Sequence, residues 1–150
     1  MNRHRQRKMM RVRVRMIDCS EVICVELCEA SDTAQAVYST RRLTARMGFS
    51  EANQFLIATA VSELATNIVR YAGKGEVTIR TLYDSGREGI EVTARDQGPG
   101  IADIDEAMKE HFSSGNSLGL GLPSVKRIMD EFTIDSKKGR GTTIVARKWR

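Results

Sequence analysis

Two glycine-rich turns constrain this chain more than any other feature: Asp96-Gln97-Gly98-Pro99-Gly100 and Gly119-Leu120-Gly121-Leu122-Pro123. The first closes a strand-like run over residues 89–95 and leads into Ile101. The second opens a helix-like run that reaches Phe132. Glycine admits left-handed backbone angles and lets a ligand approach bare main chain. A helix N-terminus behind such a turn offers unpaired N–H groups and the favourable end of the dipole to an anion. The turns together predict a nucleotide site split across two loops, with a carboxylate at one end and phosphates at the other. Neither turn contains G-x-G-x-x-G or G-x-x-x-x-G-K-[ST], so the usual dinucleotide and P-loop arrangements are excluded.

A chain of 150 residues has the size of one domain and can bury a core. No apolar run approaches the roughly 20 residues needed to span a bilayer. The basic N-terminus has no apolar segment behind it and does not read as a secretory signal. Cys19, Cys24 and Cys28 are odd in number and lack C-x-x-C spacing. They point to a reducing compartment, the cytoplasm, and to small hydrophobes in a strand rather than a disulfide framework or zinc site. The net charge of +5 is a property of the N-terminus. Residues 1–15 hold seven of the 24 Arg and Lys and no Asp or Glu, which leaves 17 basic against 19 acidic residues elsewhere. Basicity confined to an arm argues against a nucleic-acid module.

Residues 1–18 read as a basic arm, disordered or forming an extra edge strand, and residues 19–150 as one domain. Val12, Val14 and Met16 alternate with Arg11, Arg13 and Arg15, an exposed-edge pattern. Residues 21–28 form a second strand-like run. Ser31 or Asp32 caps a helix to about Met47, closed by Gly48, and Ser50 caps the next, to about Tyr71. Strand-like segments follow over residues 77–83, 89–95, 132–136 and 142–148. Between the strand pairs lie a short helix over residues 104–110, a mobile lid at residues 113–117 and a helix over residues 122–131. The expected class is α+β: a two-layer sandwich with a mixed, mostly antiparallel sheet covered by helices on one face.

In the helix after Ser50, Leu56, Ile57, Ala60, Leu64 and Ile68 form the expected buried stripe. Glu63 and Asn67 are four apart, share a face and flank that stripe. An amide oxygen suits Mg²⁺, which also takes phosphate oxygens. A carboxylate beside it can orient or deprotonate a hydroxyl. Asp96, at a strand end before Gly98 and Gly100, suits a hydrogen bond from an exocyclic amine such as adenine N6. Lys126 and Arg127 lie within about two turns of the second glycine turn. His4 and His111 belong to no transition-metal pattern.

These boxes, taken in order, resemble a known superfamily. Glu63…Asn67, Asp96-x-Gly98-x-Gly100, Gly119-x-Gly121 and Gly139-x-Gly141-Thr142 are similar to the Bergerat (GHKL) ATP-binding fold of gyrase B, the 90-kDa heat-shock chaperone, sensor histidine kinases and MutL. Ser62-Glu63-Leu64-Ala65-x-Asn67, Tyr71-Ala72-Gly73, Gly121-Leu122-Pro123, Lys126-Arg127-x-Met129-Asp130-Glu131-Phe132 and Lys148-Trp149 resemble the RsbT group more narrowly. Those are serine/threonine protein kinases of the bacterial stressosome and other partner-switching modules. The resemblance implies a four- or five-stranded mixed sheet, with ATP and Mg²⁺ as cofactors. It implies Glu63 as the catalytic carboxylate, Asn67 as the Mg²⁺ ligand, and Asp96 as the adenine reader supported by Thr142. Gly98, Gly100, Gly119 and Gly121 would shape the nucleotide loops, with Ile101, Leu120 and Leu122 alongside. The implied substrates are STAS-domain proteins of the RsbS or RsbR type, and the implied output is release to activate a PP2C-type phosphatase of the RsbU type. The lid departs from expectation: no Arg or Lys lies between Phe112 and Gly119, which leaves Lys109 as the nearest candidate for a γ-phosphate contact.

Four other readings compete. A histidine kinase needs a preceding helix with the phosphoacceptor histidine, and a topoisomerase or chaperone needs a transducer domain. An anti-sigma switch kinase, which binds a sigma factor and phosphorylates a STAS-domain antagonist, would share the whole ATP site. An ATP-gated binding module with little turnover would have no need of Glu63.

Overall fold

The structure, a computed structural model, describes residues 11–17, 20–109 and 121–150. Strands β1 (Val12–Ile17), β2 (Ser20–Leu27), β3 (Gly75–Asp84), β4 (Arg87–Asp96), β5 (Glu131–Lys137) and β6 (Gly141–Trp149) form one sheet in the order β1-β2-β3-β4-β6-β5. All five ladders are antiparallel. The sheet is thus wider than the four or five strands expected, because β1 adds an edge, and it has no parallel pair.

Period-two patterning explains why this sheet has one dry face. Val25, Val77, Ala94, Ile144 and Ile134 stand opposite one another across five strands, and Ile23, Ile79, Val92, Ala146 and Phe132 form the next such row. Helices α1 (Ala30–Arg46) and α2 (Glu51–Asn67) cover these rows, with Leu43, Ile57, Val61 and Leu64 buried against them. The other face of the sheet is polar and carries Glu91, held by Arg80 at 2.9 Å and Arg147 at 2.8 Å. Fold class and layer arrangement match the expected α+β sandwich.

Several boundaries differ, each for a local reason. α1 begins two to three residues earlier than a Ser31 or Asp32 cap allows. Glu29 is the N-cap, and Asp32, three residues on, accepts from the Glu29 N–H at 3.0 Å and the Cys28 N–H at 2.9 Å. Asp32 also takes Arg11 of the chain just before β1 at 2.9 Å, a long-range partner that local patterning does not reveal. That hydrogen bond, and then the carboxylate's charge, raises the Arg11 guanidinium above its ordinary pKa. Ser50 caps α2 as expected, accepting from the Asn53 N–H at 3.2 Å. The helical run reaches Ala72 and is closed by Gly73 at φ +80, as expected, but only Glu51–Asn67 is α-helical, and Ile68–Ala72 is a π-helical turn. Leu56 is not in the buried stripe; it is 37% exposed. The short helix α3 spans Ile104–Ala107, and α4 spans Leu122–Ile128, stopping before residue 131 because Met129 is already extended. Cys24 is half-buried, whereas Cys28 is exposed. No helix among the described residues is long and apolar enough to cross a membrane. The expected lid, Gly119, Leu120, His4, His111, Cys19 and residues 1–10 lie outside the described residues.

Candidate nucleotide site

One end of the sheet opens into a cleft of about 440 Å³ between α2, the ends of β4 and β6, and the start of α4. That volume lies in the range of small-molecule sites. Leu64, Ile68, Ala72, Ala94, Leu122 and Ile144 make its walls mostly apolar. Asn67 and Asp96 bring polar side chains to it, and Thr142 adds a hydroxyl.

The cleft exists because α2 changes pitch beside it. The π-helical turn after Asn67 widens the backbone and carries Tyr71 and Ala72 onto the wall; such single turns recur at functional sites. Ala72 then presses against the first glycine turn: a Cβ on Gly98 would stand 2.5 Å from the Ala72 Cβ. Gly100 has φ +72, and a Cβ there would collide with the Lys137 carbonyl. These two glycines let the loop after β4 sit tightly between the π turn and the β5–β6 turn. The Gly139 N–H donates to the Pro99 carbonyl at 2.7 Å, tying the same two segments together.

Asp96 ends β4, paired with Gly75 on one side and Thr142 on the other. One carboxylate oxygen accepts from the Gly98 N–H at 2.8 Å, which fixes its orientation. The other forms no side-chain hydrogen bond with a described residue. The Thr142 hydroxyl lies 2.7 Å from that of Ser136, which also accepts from the Ile101 N–H at 2.7 Å.

Of the residues expected from sequence, Asn67, Asp96, Gly100, Ile101, Gly121, Leu122 and Thr142 line this one cleft. Gly98 packs behind it, on Ala72. Glu63 lies one turn before Asn67, is 9% exposed and does not line the cleft. Its carboxylate forms no hydrogen bond or ion pair with another described residue. Gly121 has φ +69 at the start of α4, but the helix end behind it is poorer in donors than expected. Pro123 has no N–H, and the Ser124 and Val125 N–H groups turn back on the Gly121 carbonyl. Lys126 is exposed in the last turn of α4, as is Arg127, and Lys109 pairs with Glu106 at 3.0 Å. Ser136 and Ala107 carried no sequence motif, yet Ser136 ties the loops and Ala107 lines the cleft beside Leu64 and Pro99, two motif residues to which sequence assigned no contact with the nucleotide.

The residues present fit ATP with Mg²⁺. The loop glycines leave no room for side chains, the free Asp96 oxygen can accept from an adenine amine, and the Asn67 amide has no partner among the described residues. No group of three or more His, Cys, Asp or Glu among the described residues could hold a metal ion.

Residues 27–148 match the family described as Histidine kinase-like ATPase domain, and the chain belongs to that family. Within it the chain is of the RsbT type. It is 46% identical to the serine/threonine-protein kinase RsbT of Bacillus subtilis over 126 residues, which cover 84% of this chain and 95% of that protein. It is 34% identical to the anti-sigma F factor of Geobacillus thermodenitrificans over 99 residues, covering 61% and 66% of the two chains. The SiaB-SiaC complex from Pseudomonas aeruginosa contains a chain of the same fold, with TM-score 0.55 and 14% identity over 100% of this chain and 99% of that one. So does a structure of the RsbU and RsbW domains of a Mycobacterium tuberculosis protein, with TM-score 0.54 and 16% identity over 85% of this chain and 33% of that one.

Proposed function

We propose that this protein is an ATP-dependent serine/threonine kinase that phosphorylates a STAS-domain partner of the RsbS or RsbR type. Once released, it activates a PP2C-type phosphatase of the RsbU type in a cytoplasmic stress-response switch. Residues 19–150 are the catalytic domain in this reading, and residues 1–18 an appended arm. The observation that carries it is the single cleft joining Asn67 to Asp96, with an uncommitted Glu63 one helical turn away.

Asp96 accepts from the adenine amine and sets the depth of the nucleotide. Apolar walls exclude water from the base. The Asn67 amide oxygen would hold Mg²⁺, which neutralises phosphate charge in phosphoryl transfer. The acceptor hydroxyl oxygen forms a bond to the γ-phosphorus as the bond to the ADP oxygen breaks, and Glu63 takes the hydroxyl proton. Little covalent help is needed beyond this positioning. The product carries about −1.5 to −2 added charge, which loosens the complex and frees the kinase.

The test is transfer of labelled phosphate from Mg-ATP to a serine or threonine of a cognate STAS-domain protein. Glu63→Ala and Asn67→Ala should each abolish it. Full labelling by both variants would sink the mechanism. The anti-sigma factor relationship supports a second reading, a kinase that also binds a sigma factor. Retention of a sigma factor by the nucleotide-bound protein would favour it over phosphatase activation.

A further inference from the structure

The outward face of α2 does not have the composition of a solvated helix surface. Among its seventeen residues only Glu51 and Glu63 are charged. α1 is as long and carries Asp32, Arg41, Arg42 and Arg46. A helix packed on one side ordinarily confines its apolar residues to that side. In α2 they continue around it: Phe55 is 66% exposed, Leu56 37% exposed, and Ala52 lies exposed beside them. Leu56 stands seven residues before Glu63 and Thr59 four, so both share the face of the uncommitted carboxylate. Phe55 is four residues before Thr59.

We infer that this uncharged strip of Ala52, Phe55, Leu56 and Thr59 is the docking surface for the folded domain that carries the acceptor hydroxyl. The inference rests on the kinase reading above and adds where the partner sits. A folded substrate must bring a hydroxyl to Glu63, and a standard interface covers about 800 Å² per partner, a disc of about 16 Å radius. Leu56 lies about 10 Å from Glu63 along the helix and Phe55 about 12 Å. A partner centred on Glu63 therefore reaches Thr59, Leu56 and Phe55, and an exposed aromatic within that area is the kind of anchor that dominates binding. The strip offers no charge to complement, so the partner surface around the hydroxyl is apolar rather than an acidic or basic run. Transfer then places a phosphate against an uncharged surface and beside a carboxylate, where burying charge is most costly. The docking surface thus favours the unmodified partner and expels the product.

The experiment uses the full chain and the STAS-domain protein of the labelling assay. The double variant Phe55→Ala/Leu56→Ala is compared with wild type and with Tyr83→Ala, which removes an equally exposed aromatic (61%) from β3. Both are measured for transfer kinetics, ATP affinity, sedimentation, and partner binding with a non-hydrolysable ATP analogue. The expected result is a partner KM and Kd raised about tenfold or more in the double variant. Its kcat at saturating partner, its ATP affinity and the behaviour of Tyr83→Ala should be those of wild type. An unchanged partner Kd overturns the inference, as does an equal loss in Tyr83→Ala. A changed sedimentation with unchanged Kd assigns the strip to a second copy of the chain and overturns it too. Weakened ATP binding assigns it to closure over the nucleotide, with the same consequence. A wild-type protein that binds the partner without labelling it refutes the kinase reading instead, and the Kd comparison still judges the docking surface. Absence of both binding and labelling refutes both.

Discussion

Ser136→Ala is the perturbation that tests how the cleft is built. The Ser136 hydroxyl accepts from the Ile101 N–H at 2.7 Å and lies 2.7 Å from the Thr142 hydroxyl and 3.2 Å from the Gly141 carbonyl. Ile101 and Thr142 line the cleft, one on the loop after β4 and one on β6. Alanine removes the only acceptor that the half-buried Ile101 N–H has among the described residues. A backbone donor left without a partner costs about 1–3 kcal/mol. At about 2–4 °C per kcal/mol for a domain of this size, Tm should fall by about 2–12 °C. If the Ile101 N–H instead turns out to water, the loop must be drawn back when nucleotide binds, and the same free energy appears as about 5- to 150-fold weaker ATP binding. Thermal unfolding and calorimetric titration with ATP read the two costs. Ser136→Thr keeps the hydroxyl on a residue suited to strands and should restore both. An alanine variant with wild-type Tm and ATP affinity would refute the argument. A lowered Tm with unchanged affinity would refute its second half, confining the hydroxyl to holding β5 on β6.

Asp96→Asn keeps an oxygen for the Gly98 N–H but turns an NH₂ toward the adenine amine. ATP affinity should fall about tenfold or more while Tm shifts by no more than a few degrees, as titration and melting would show. Gly100→Ala puts a Cβ against the Lys137 carbonyl at φ +72. The left-handed angle alone costs about 1–2 kcal/mol, so Tm should drop, and an unshifted Tm would contradict the geometry. Asp32→Ala strands the Cys28 and Glu29 N–H groups and leaves the Arg11 guanidinium with Glu29 at 3.3 Å. A loss of about 1–2 kcal/mol in chemical denaturation is expected, with faster proteolysis near β1, since the helix start loses its acceptor.

Much of this was legible in the residues. Alternating Val, Ile and Thr fixed the faces of β2, β3, β4 and β6, because side-chain period two leaves no second way to build a dry row. Asp96, Gly98 and Gly100 announced a tight turn, and they sit where β4 meets the cleft. The π-helical turn was not legible. A backbone widening at Ile68–Ala72 has no composition of its own and becomes evident only when Ala72 is seen against Gly98. Ser136 was missed for a similar reason: a lone serine in a strand signals nothing until register sets it opposite Thr142. The Asp32 cap was three residues out because the competing partner, Arg11, arrives from 21 residues away.

Leu56 was read as part of the buried stripe of α2 and Glu63 as flanking it; Leu56 is instead 37% exposed, whereas Glu63 does lie beside the stripe, 9% exposed. The buried stripe runs through Ile57, Ala60, Val61, Leu64 and Ala65, which turns Leu56 and Glu63 toward one side of it. Leu64, Asn67, Ile68 and Tyr71 face the cleft on the adjacent side. One helix therefore presents two neighbouring faces, one to the nucleotide and one outward, with Glu63 at their boundary. A carboxylate lining the nucleotide pocket would meet the negatively charged phosphates. One set at the border is kept apart from them by its own helix and can meet a hydroxyl that arrives from outside. Apart from Glu51 in its first turn, that outer face carries no other charge, so in the proposed reaction no neighbouring acid on α2 would compete with Glu63 for the proton and no base on α2 would pair with it.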